Sequence, residues 1–415
     1  MTPVAAHPLT WVEVDVAALA HNVAVLRAAA NSGGRRSGQP GAGAPLLCAM
    51  VKGNAYGHGL LVAGRALVAA GVDWLGVGDV GEALALRQAG VDLPLLAVCH
   101  IAANQMDEAV ACDLRMVVYD AQTVAAAAAA GLAAHPNGPP VRLHLKLDTG
   151  TNRQGVSGPA AVALAGLIVR TPGVQLEGVS THFANIEDTT DHRFARRQLE
   201  RFAADLAAIR TALGAAGEPP QPLLVHASNT AAVMLWPEVC GDLVRFGIGA
   251  YGLCPSNETL VSARECGRST VDLRPALTWK TRIVQLRAVP AGEWVGYGCT
   301  WRTVRDSRLA VLPVGYYDGY DRRLSGVGQV LVGGQRAPVV GRVAMNMIVV
   351  DVTDSPAVQA GDEVVLLGRQ ARAAQGEAEQ VEPEQISADE MAAWLGSIHY
   401  EVVTRINERI PRVAV

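Results

Sequence analysis

The residues best suited to chemistry in this sequence stand just after short apolar runs. Lys52 closes the run LLCAMV, where partial burial favours the neutral amine that forms a Schiff base. Polar groups also follow later runs, at residues 148–153, at His182 and at residues 226–230. Hydroxyl and backbone N–H donors in HASNT, and in RFGIG beginning at Arg245, suit a phosphate group. Together these residue types predict a site for a phosphorylated, electrophilic cofactor.

Eight apolar runs must position these residues. We predict strands at residues 46–51, 74–78, 95–100, 116–120, 142–148, 176–184, 223–228 and 243–249. Stretches with helical periodicity fit between most of them, at residues 82–88, 121–134, 159–170 and 194–213. Near-continuous apolar strands that alternate with helices indicate a parallel sheet. Eight of them predict a (β/α)8 TIM-type barrel, in which the carboxyl ends of the strands share one face. An open doubly wound sheet is the alternative.

A change in the hydrophobic pattern after about Gly267 indicates a second domain. Helical periodicity fades, and short β-rich runs follow, separated by turn signals such as Gly333-Gly334. We therefore predict an α/β barrel over residues 14–267 and a mostly β domain over residues 268–415. The opening run WVEVDV suits either domain, and residues 1–13 are assigned to the β domain. Two polar stretches, residues 31–45 and 370–385, are predicted to be surface insertions without an assigned role.

Composition limits the classes of partner and compartment. Half of the 415 residues are apolar, 18% are charged and the net charge is −4, so a large core is expected. Nothing in this balance favours nucleic acid or an acidic membrane surface as a partner. The first residues lack the basic and apolar regions of a signal peptide. Seven cysteines without a C-x-x-C pair indicate free thiols and no metal site. We expect a cytoplasmic protein.

Nine motifs, in order, resemble those of the alanine racemases. They are VKGNAYGHG, LKLDTGTNRQG, STHFA, HASNTAA, VRFGIGAYG, VGYG, LPVGYYDGYDRR, GRVAMN and HYEVVTRINERIPR. The resemblance runs from Trp11 to Arg412. It implies a (β/α)8 barrel followed by a β domain, and a homodimer with shared active sites. It also implies pyridoxal 5′-phosphate (PLP) as cofactor and interconversion of L- and D-alanine through an external aldimine, usually to supply D-alanine for peptidoglycan.

The resemblance assigns the catalytic roles residue by residue. Lys52 carries PLP covalently and acts as one base, and Tyr297 acts as the opposite base from the partner subunit. Arg245 faces the pyridine nitrogen, while His182 and Arg153 lie near the tyrosine and the phenolic oxygen of PLP. The phosphate-site positions are Tyr56, Asn229, Thr230, Gly247, Ile248 and Tyr400.

Further positions concern the substrate. Met345 donates its backbone to the substrate carboxylate, and Arg153 and Tyr297 also contact the substrate. Lys146 is the candidate for carbamylation and orients Arg153. The access corridor from the dimer surface is formed by Glu187, Tyr316, Asp318 and Arg322.

Elementary chemistry agrees with these roles. Racemisation removes a proton from one face of the α-carbon and returns one to the other face, which two opposed bases do better than one. Positive charge on Arg153, relayed through His182, favours the phenolate of Tyr297. Arg245 cannot supply an anion to the ring nitrogen, so PLP stays a weaker electron sink and transamination is limited.

Several positions depart from the family pattern without removing a catalytic group. Thr230 stands where serine is common. Glu187, whose side chain is longer, stands where aspartate is usual. Asn152 and Asn346 leave the substrate range and the charge of the corridor open, and serine is an expected slow substrate. His399 is interpreted as a packing residue, and unassigned histidines such as His144 as structural or surface residues.

Two other functions were weighed against racemisation. A PLP-dependent decarboxylase on a related architecture would place an acidic residue against the ring nitrogen, where this chain has Arg245. A non-catalytic PLP carrier with a single barrel would lack the second domain and Tyr297. Both features of this chain favour the racemase.

Overall fold

The structure is a computed structural model, and it describes residues 8–33, 44–216, 222–268, 271–355, 357–372 and 382–415. Of the predicted insertions, residues 34–43 and 373–381 lie outside the described residues, as do residues 1–7. In the described ranges the strands are β1 (Thr10–Val14), β2 (Leu46–Met50), β3 (Trp74–Val77), β4 (Leu95–Ala97), β5 (Leu114–Val118), β6 (Val141–Lys146), β7 (Val174–Ser180), β8 (Leu224–His226), β9 (Leu243–Phe246), β10 (Leu277–Arg282), β11 (Gln285–Val289), β12 (Trp294–Val295), β13 (Trp301–Arg302), β14 (Ser307–Leu312), β15 (Gln329–Val332), β16 (Gln335–Val340), β17 (Ile348–Asp351), β18 (Glu363–Gln370), β19 (Glu384–Ile386) and β20 (Arg412–Ala414).

Helices connect most of the early strands. They are α1 (Val16–Asn31), α2 (Lys52–Tyr56), α3 (Leu60–Ala69), α4 (Val80–Gln88), α5 (Met106–Ala111), α6 (Ala121–Ala134), α7 (Gly158–Arg170), α8 (Arg193–Ala215), α9 (Thr230–Leu235), α10 (Asn257–Glu265), α11 (Ala388–Leu395) and α12 (His399–Thr404). Short 3₁₀ turns occur at Ala103–Gln105, Pro237–Val239, Ile248–Tyr251, Tyr297–Cys299, Tyr316–Asp318 and Arg322–Leu324. No helix in the described ranges is long and apolar enough to cross a membrane.

The chain divides into two compact units. The barrel unit comprises Ala17–Ala55 and Ala63–Arg274. The β unit comprises Met1–Val16, Tyr56–Val62 and Pro275–Val415. Each unit is therefore assembled from separated segments of sequence.

The barrel unit contains eight parallel strands in the order β8-β7-β6-β5-β4-β3-β2-β9. β9 returns to β2, with Leu243 opposite Leu46. Between the two end strands, the Asp242 N–H donates to Val225 O at 2.8 Å and the Arg245 N–H to Ser228 O at 3.1 Å. The sheet is thus an almost closed barrel. The predicted TIM-type barrel is confirmed, and the doubly wound alternative is wrong.

The sequence signals that predicted these elements have physical counterparts. The strands β3, β4, β5 and β9 are buried at every residue, as their continuous apolar runs indicate. Helix α6 begins where it was predicted, because the Asp120 carboxylate accepts the Thr123 N–H at 2.7 Å. The other three predicted helices start one or two residues earlier than expected, at Val80, Gly158 and Arg193.

The β unit is built on a sheet of order β11-β14-β17-β16-β15-β18-β10-β1-β20, with β19 paired to β18. The opening strand β1 lies inside this sheet. It pairs antiparallel with β10, placing Val12 opposite Trp279, and parallel with β20. Val12 and Val14 are fully buried, so β1 ties the start of the chain to its end. The predicted mostly β second domain is confirmed.

A short segment after β2, Tyr56–Val62, also belongs to the β unit. Gly57 has φ +81°, and a side chain there would lie 1.9 Å from the Val403 carbonyl oxygen. The Arg412 Nε–H donates to the Gly57 carbonyl at 3.0 Å. Only glycine fits this position, because both the backbone angle and the close approach exclude a β-carbon.

Candidate active site

Lys52 lies at the carboxyl end of β2, where the backbone enters the turn α2. This turn is left-handed, with φ of +63° at Gly53, +54° at Asn54 and Ala55, and +52° at Tyr56. Inside the barrel unit, the Glu82 carboxylate accepts the Asn54 N–H at 3.2 Å and the Gly78 N–H at 2.8 Å. The unusual backbone therefore has a fixed support directly beside the lysine.

Basic side chains gather around His182, which follows β7. Burial is the main cause that holds the pKa of His182 well below 6.5, and the charges of Lys146, Arg245, Arg153 and Lys52 add to it. His182 is therefore a neutral imidazole at neutral pH. In the barrel unit, His182 thus lies within electrostatic reach of Lys52, Arg153 and Arg245, which the resemblance assigns to the cofactor, and of Lys146, the candidate for carbamylation. The resulting electropositive site suits an anionic ligand.

Lys146, at the end of β6, is a half-buried amine of this group. Burial first, and then the charges of Arg245 and Arg153, hold its pKa well below 10.5, while Asp148 opposes the shift. The Asp148 carboxylate is used in a turn, where it accepts the N–H groups of residues 150–152 at 2.9, 3.0 and 3.1 Å. The lowered pKa makes the neutral form of the Lys146 amine, which carries a lone pair, more accessible than in an exposed lysine.

Arg245, in β9, is held by its two terminal nitrogens. Nη2 donates to the carbonyls of Thr181 at 2.8 Å and Ala227 at 3.2 Å. Nη1 donates to the carbonyl of His226 at 3.1 Å and to its Nδ1. Burial lowers the pKa of Arg245 to about 10, so it remains a cation at neutral pH. All of its hydrogen bonds to described residues use Nη1 and Nη2, so its Nε–H is available to a ligand.

A buried hydrogen-bonded row extends from Arg245 across three strands, and sequence reasoning missed most of it. His226 Nε2 lies 2.7 Å from Nδ1 of His144, and His144 Nε2 lies 3.0 Å from Oε2 of Glu177. His144 was interpreted as structural or surface, and Glu177 was not singled out. A signal existed, because His144 stands two residues before Lys146 and so shares its face of β6.

The predicted phosphate residues of the barrel unit form two neighbouring turns. Asn229 caps α9, its side chain accepting the Ala232 N–H at 3.0 Å. A side chain at Gly249 would lie 2.5 Å from Cγ2 of Thr230, so the turn after β9 packs directly on the start of α9. Gly247 and Ile248 begin that turn and are buried with Thr230. These four positions are therefore adjacent.

Two further predicted phosphate residues, Tyr56 and Tyr400, lie in the β unit. Their ring centroids are 6.3 Å apart. His399 packs against Tyr400 with a centroid distance of 4.8 Å, and its Nδ1 lies 3.0 Å from the Asp389 carboxylate. His399 thus supports Tyr400, in agreement with its interpretation as a packing residue.

Tyr297 is displayed at the tip of the β12–β13 hairpin of the β unit. Its side chain is 75% exposed. The glycines on either side, Gly296 and Gly298, have φ of +75° and +74°. This conformation favours glycine, so the two neighbours turn the tyrosine outward. Met345, of the same unit, is 54% exposed.

The residues predicted for the access corridor differ in exposure. Tyr316 and Arg322 are exposed in the β unit, and Glu187 is half-buried in the barrel unit. Asp318 is buried, and its carboxylate is shared between the Arg409 side chain at 2.5 Å and the Gly315 N–H at 2.9 Å. The structure therefore shows Asp318 holding its own loop in place.

Comparisons with known proteins agree along the whole chain. The family description "Alanine racemase, N-terminal domain" matches residues 14–255, and "Alanine racemase, C-terminal domain" matches residues 276–414. The alanine racemase of Symbiobacterium thermophilum is 40% identical over 97% of this chain and 96% of its own. That of Desulfovibrio desulfuricans is 37% identical over 98% of both.

Solved structures give the same result. The alanine racemase of Bacillus anthracis with bound L-Ala-P has a TM-score of 0.83 at 31% identity, covering 99% of this chain and 96% of the other. The alanine racemase of Streptomyces lavendulae has a TM-score of 0.81 at 35% identity, covering 99% and 98%.

Proposed function

Because the chain belongs to the alanine racemase family, we propose that it interconverts L- and D-alanine with PLP bound covalently to Lys52, using Lys52 and Tyr297 as opposed bases. The observation that carries this proposal is the cluster of Lys52, Lys146, Arg153 and Arg245 around a neutral His182. Such a site attracts a ligand with a phosphate, a phenolate and a carboxylate.

The residues present fit PLP. The unpaired Nε–H of Arg245 can donate to an unprotonated ring nitrogen, and the turns at Asn229, Thr230 and residues 247–248 can hold the phosphate. Tyr56 and Tyr400 supply two more hydroxyl donors. When bound, PLP supplies an electron sink that acidifies the α-proton of the amino acid.

The chain's own groups then move the proton. Nζ of Lys52 serves one face of the α-carbon and the phenolic oxygen of Tyr297 serves the other. His182 is uncharged, so one of its ring nitrogens can accept a hydrogen bond from Arg153. The N–H of the other ring nitrogen can donate to the phenolic oxygen of Tyr297. Arg245 keeps the ring nitrogen unprotonated, which restrains electron withdrawal and favours return of the proton over loss of the amino group.

We propose carbamylation for Lys146. The lowered pKa of Lys146 favours the neutral amine, which can attack carbon dioxide, form a C–N bond and release a proton. The product is an anion placed between Arg153 and Arg245, whose charges it would offset. The carbamate would then orient Arg153 towards the substrate carboxylate, beside the backbone of Met345.

We propose a homodimer with shared sites, in which the barrel domain (residues 14–267) holds PLP and the β domain (residues 268–415) gives Tyr297 to the partner. Trp294, Tyr297, Met345 and Met347 are each more than half exposed in the β unit. Large apolar side chains exposed together suit a contact surface. In such a dimer Glu187, Tyr316 and Arg322 would line the access corridor.

The biological setting proposed is supply of D-alanine for peptidoglycan in the cytoplasm. Seven cysteines without a C-x-x-C pair are consistent with a reducing compartment. Serine is proposed as a slow substrate, because a pocket not built to exclude one hydroxyl discriminates weakly.

The first experiment is chiral analysis of products after separate incubation of PLP-loaded protein with L-alanine, L-serine and L-lysine. Rapid D-alanine formation with little product from the other two is expected.

The chain has three lysines, and Lys280 is held 2.9 Å from both Glu13 and Glu363. Borohydride reduction and peptide mapping should therefore find the cofactor on Lys52 alone, and Lys52→Ala should lose both label and activity. Label on Lys280, or faster turnover of serine, would contradict the proposal.

A complementation experiment tests the shared site. Lys52→Ala and Tyr297→Phe are each expected to be nearly inactive, yet unfolding and refolding them together should form mixed dimers. One of the two sites in a mixed dimer keeps both bases, so about a quarter of wild-type activity should return at equal mixing. No recovery despite mixed dimers would mean that both bases come from one chain.

A further inference from the structure

We propose that His144 and Glu177 are positioning residues that hold Arg245 in one orientation, acting through His226 as a one-way chain of hydrogen bonds. This chain, Arg245–His226–His144–Glu177, is called the relay below. The inference rests on the proposed function in one respect, namely that Arg245 faces the cofactor.

The direction of the relay follows from its two ends. A guanidinium can only donate, so Nδ1 of His226 must carry a lone pair, and its Nε2 must carry the hydrogen. That N–H donates over 2.7 Å to Nδ1 of His144, whose Nε2–H then donates over 3.0 Å to Glu177. A carboxylate can only accept. Each ring therefore has one allowed tautomer and stays uncharged while the relay is intact.

The protonation states agree with this geometry. Both rings are fully buried. Burial lowers the pKa of His226 well below 6.5, and the charges of Arg245 and His144 add to that effect. Burial also lowers the pKa of His144, although Glu177 opposes it. Two neutral imidazoles thus separate the guanidinium from the carboxylate.

The relay connects the buried guanidinium of Arg245 to the carboxylate of Glu177. No described carboxylate lies within ion-pair distance of Arg245. Polarisation along successive hydrogen bonds strengthens each of them in a low-dielectric interior, so Glu177 can stabilise the cation through the two rings. Removing the carboxylate should therefore loosen Arg245 without touching it.

The far end of the relay is anchored. Nε of Arg115 lies 3.6 Å from Oε2 of Glu177, and Arg115 is paired with Asp113 at 2.9 Å. The same guanidinium lies 5.3 Å from the ring centre of Trp74. The ring centres of Trp74 and His144 are 5.7 Å apart, with the two rings steeply inclined to each other. Glu177 is therefore fixed by groups that play no part in the proposed chemistry.

The barrel is also shaped to admit the His144 ring. Strand pairing between β6 and β7 shifts register at Leu143/His144. A side chain at Gly178 would lie 2.5 Å from Nδ1 of His144, so the ring occupies the space that a β-carbon would need. Gly178→Ala would displace the ring without removing a polar group.

The relay bears on which reaction follows proton removal. A guanidinium that turns away leaves the ring nitrogen of PLP open to protonation, which makes the cofactor a stronger electron sink. If PLP is bound, its carbon could then take the proton back in place of the α-carbon, and water would hydrolyse the resulting C=N bond to release pyruvate and leave the amino group on the cofactor. Loss of the relay should therefore raise transamination relative to racemisation.

The first test uses cofactor-free protein and does not depend on activity. Histidine labelled with nitrogen-15 should show both rings as Nε2–H tautomers, with a scalar coupling between Nε2 of His226 and Nδ1 of His144. Glu177→Gln should weaken this coupling, and His144→Phe and Gly178→Ala should abolish it. Absence of the coupling from the wild type would overturn the relay.

The second test measures pyruvate formed per racemisation event in PLP-loaded protein. Glu177→Gln is expected to raise this ratio on the order of 10-fold, as loss of outer hydrogen-bond partners does elsewhere. Gly178→Ala should raise it further, with little change in KM. Glu108→Gln, which removes an exposed carboxylate from the same barrel, is the matched control and should leave the ratio unchanged.

The outcomes separate this inference from the proposed function. A wild type that does not racemise alanine would refute the function and leave the nitrogen coupling to be judged by itself. A wild type that racemises, with an unchanged product ratio in folded Glu177→Gln and Gly178→Ala proteins, would refute the relay alone.

Discussion

Acidification from pH 7 to pH 5.5 is expected to destabilise the protein through His144, His182 and His226. In the folded chain burial lowers the pKa of all three below 6.5, so they stay neutral there. In the unfolded chain they meet water and bind protons below about pH 6.5. The unfolded state therefore binds more protons in this range, and the free energy of unfolding must fall as the pH falls.

The size of the effect follows from the number of such residues. Each contributes a slope of about 1.4 kcal/mol per pH unit between its unfolded and folded pKa values. His182 and His226, whose pKa values lie well below 6.5, together give about 3 kcal/mol per pH unit, a large part of a usual stability of about 5–15 kcal/mol, and His144 adds a contribution of the same sign. His192, whose pKa is also lowered mainly by burial, adds a smaller contribution of the same sign.

Urea unfolding of cofactor-free protein at a fixed concentration, followed at half-unit steps of pH, measures this slope. A pH-indicator dye at pH 5.5 should report uptake of about two protons or more per chain on unfolding. His226→Gln should lower the slope by about 1.4 kcal/mol per pH unit, and a change at the exposed His135 is the control. A urea midpoint that is constant with pH, or uptake of less than one proton, would refute the reasoning.

Three other changes are expected to separate roles within the site. Tyr297→Phe should slow exchange of the α-hydrogen unequally for L- and D-alanine while bound PLP keeps its absorbance; equal, near-normal exchange would argue against two bases. Carbon-13 dioxide should give a carbamate signal that disappears in Lys146→Met, and persistence of the signal would place it elsewhere. Asp318→Asn should lower the free energy of unfolding by about 1–3 kcal/mol, through lost contacts to Arg409 and to Gly315. Combining it with Arg409→Met should cost less than the sum of the two, and strict additivity would show that the pair is not coupled.

The barrel was predictable because each of its strands has a recognisable pattern in its own short stretch of sequence. A strand covered on both faces reads as an unbroken apolar run, and all eight runs became strands of one sheet. Helix α6 was predictable to the residue, because its alanine-rich sequence follows the capping residue Asp120. The strand assignment also placed Lys52 and His182, two residues predicted for the site, just after the ends of strands.

Contacts between distant residues were not predictable in the same way. The relay joins β6, β7, β8 and β9, and a single sequence does not show which polar residues in these strands face each other. The burial of Asp318 depends on Arg409, which follows 91 residues later. The left-handed turn after Lys52 was hidden for another reason, since Ala55 and Tyr56 are residues that ordinarily avoid positive φ.

That turn carries a consequence for protein engineering. A left-handed conformation costs roughly 1–2 kcal/mol for an ordinary residue with a β-carbon, so Ala55 and Tyr56 together store about 2–4 kcal/mol. Glycine adopts this conformation without the penalty, although in an ordinary helix it is about 1 kcal/mol worse than alanine. Ala55→Gly is therefore a candidate for raising the free energy of unfolding. A helix-propensity scale applied to Lys52–Tyr56 would instead predict that the same change lowers it.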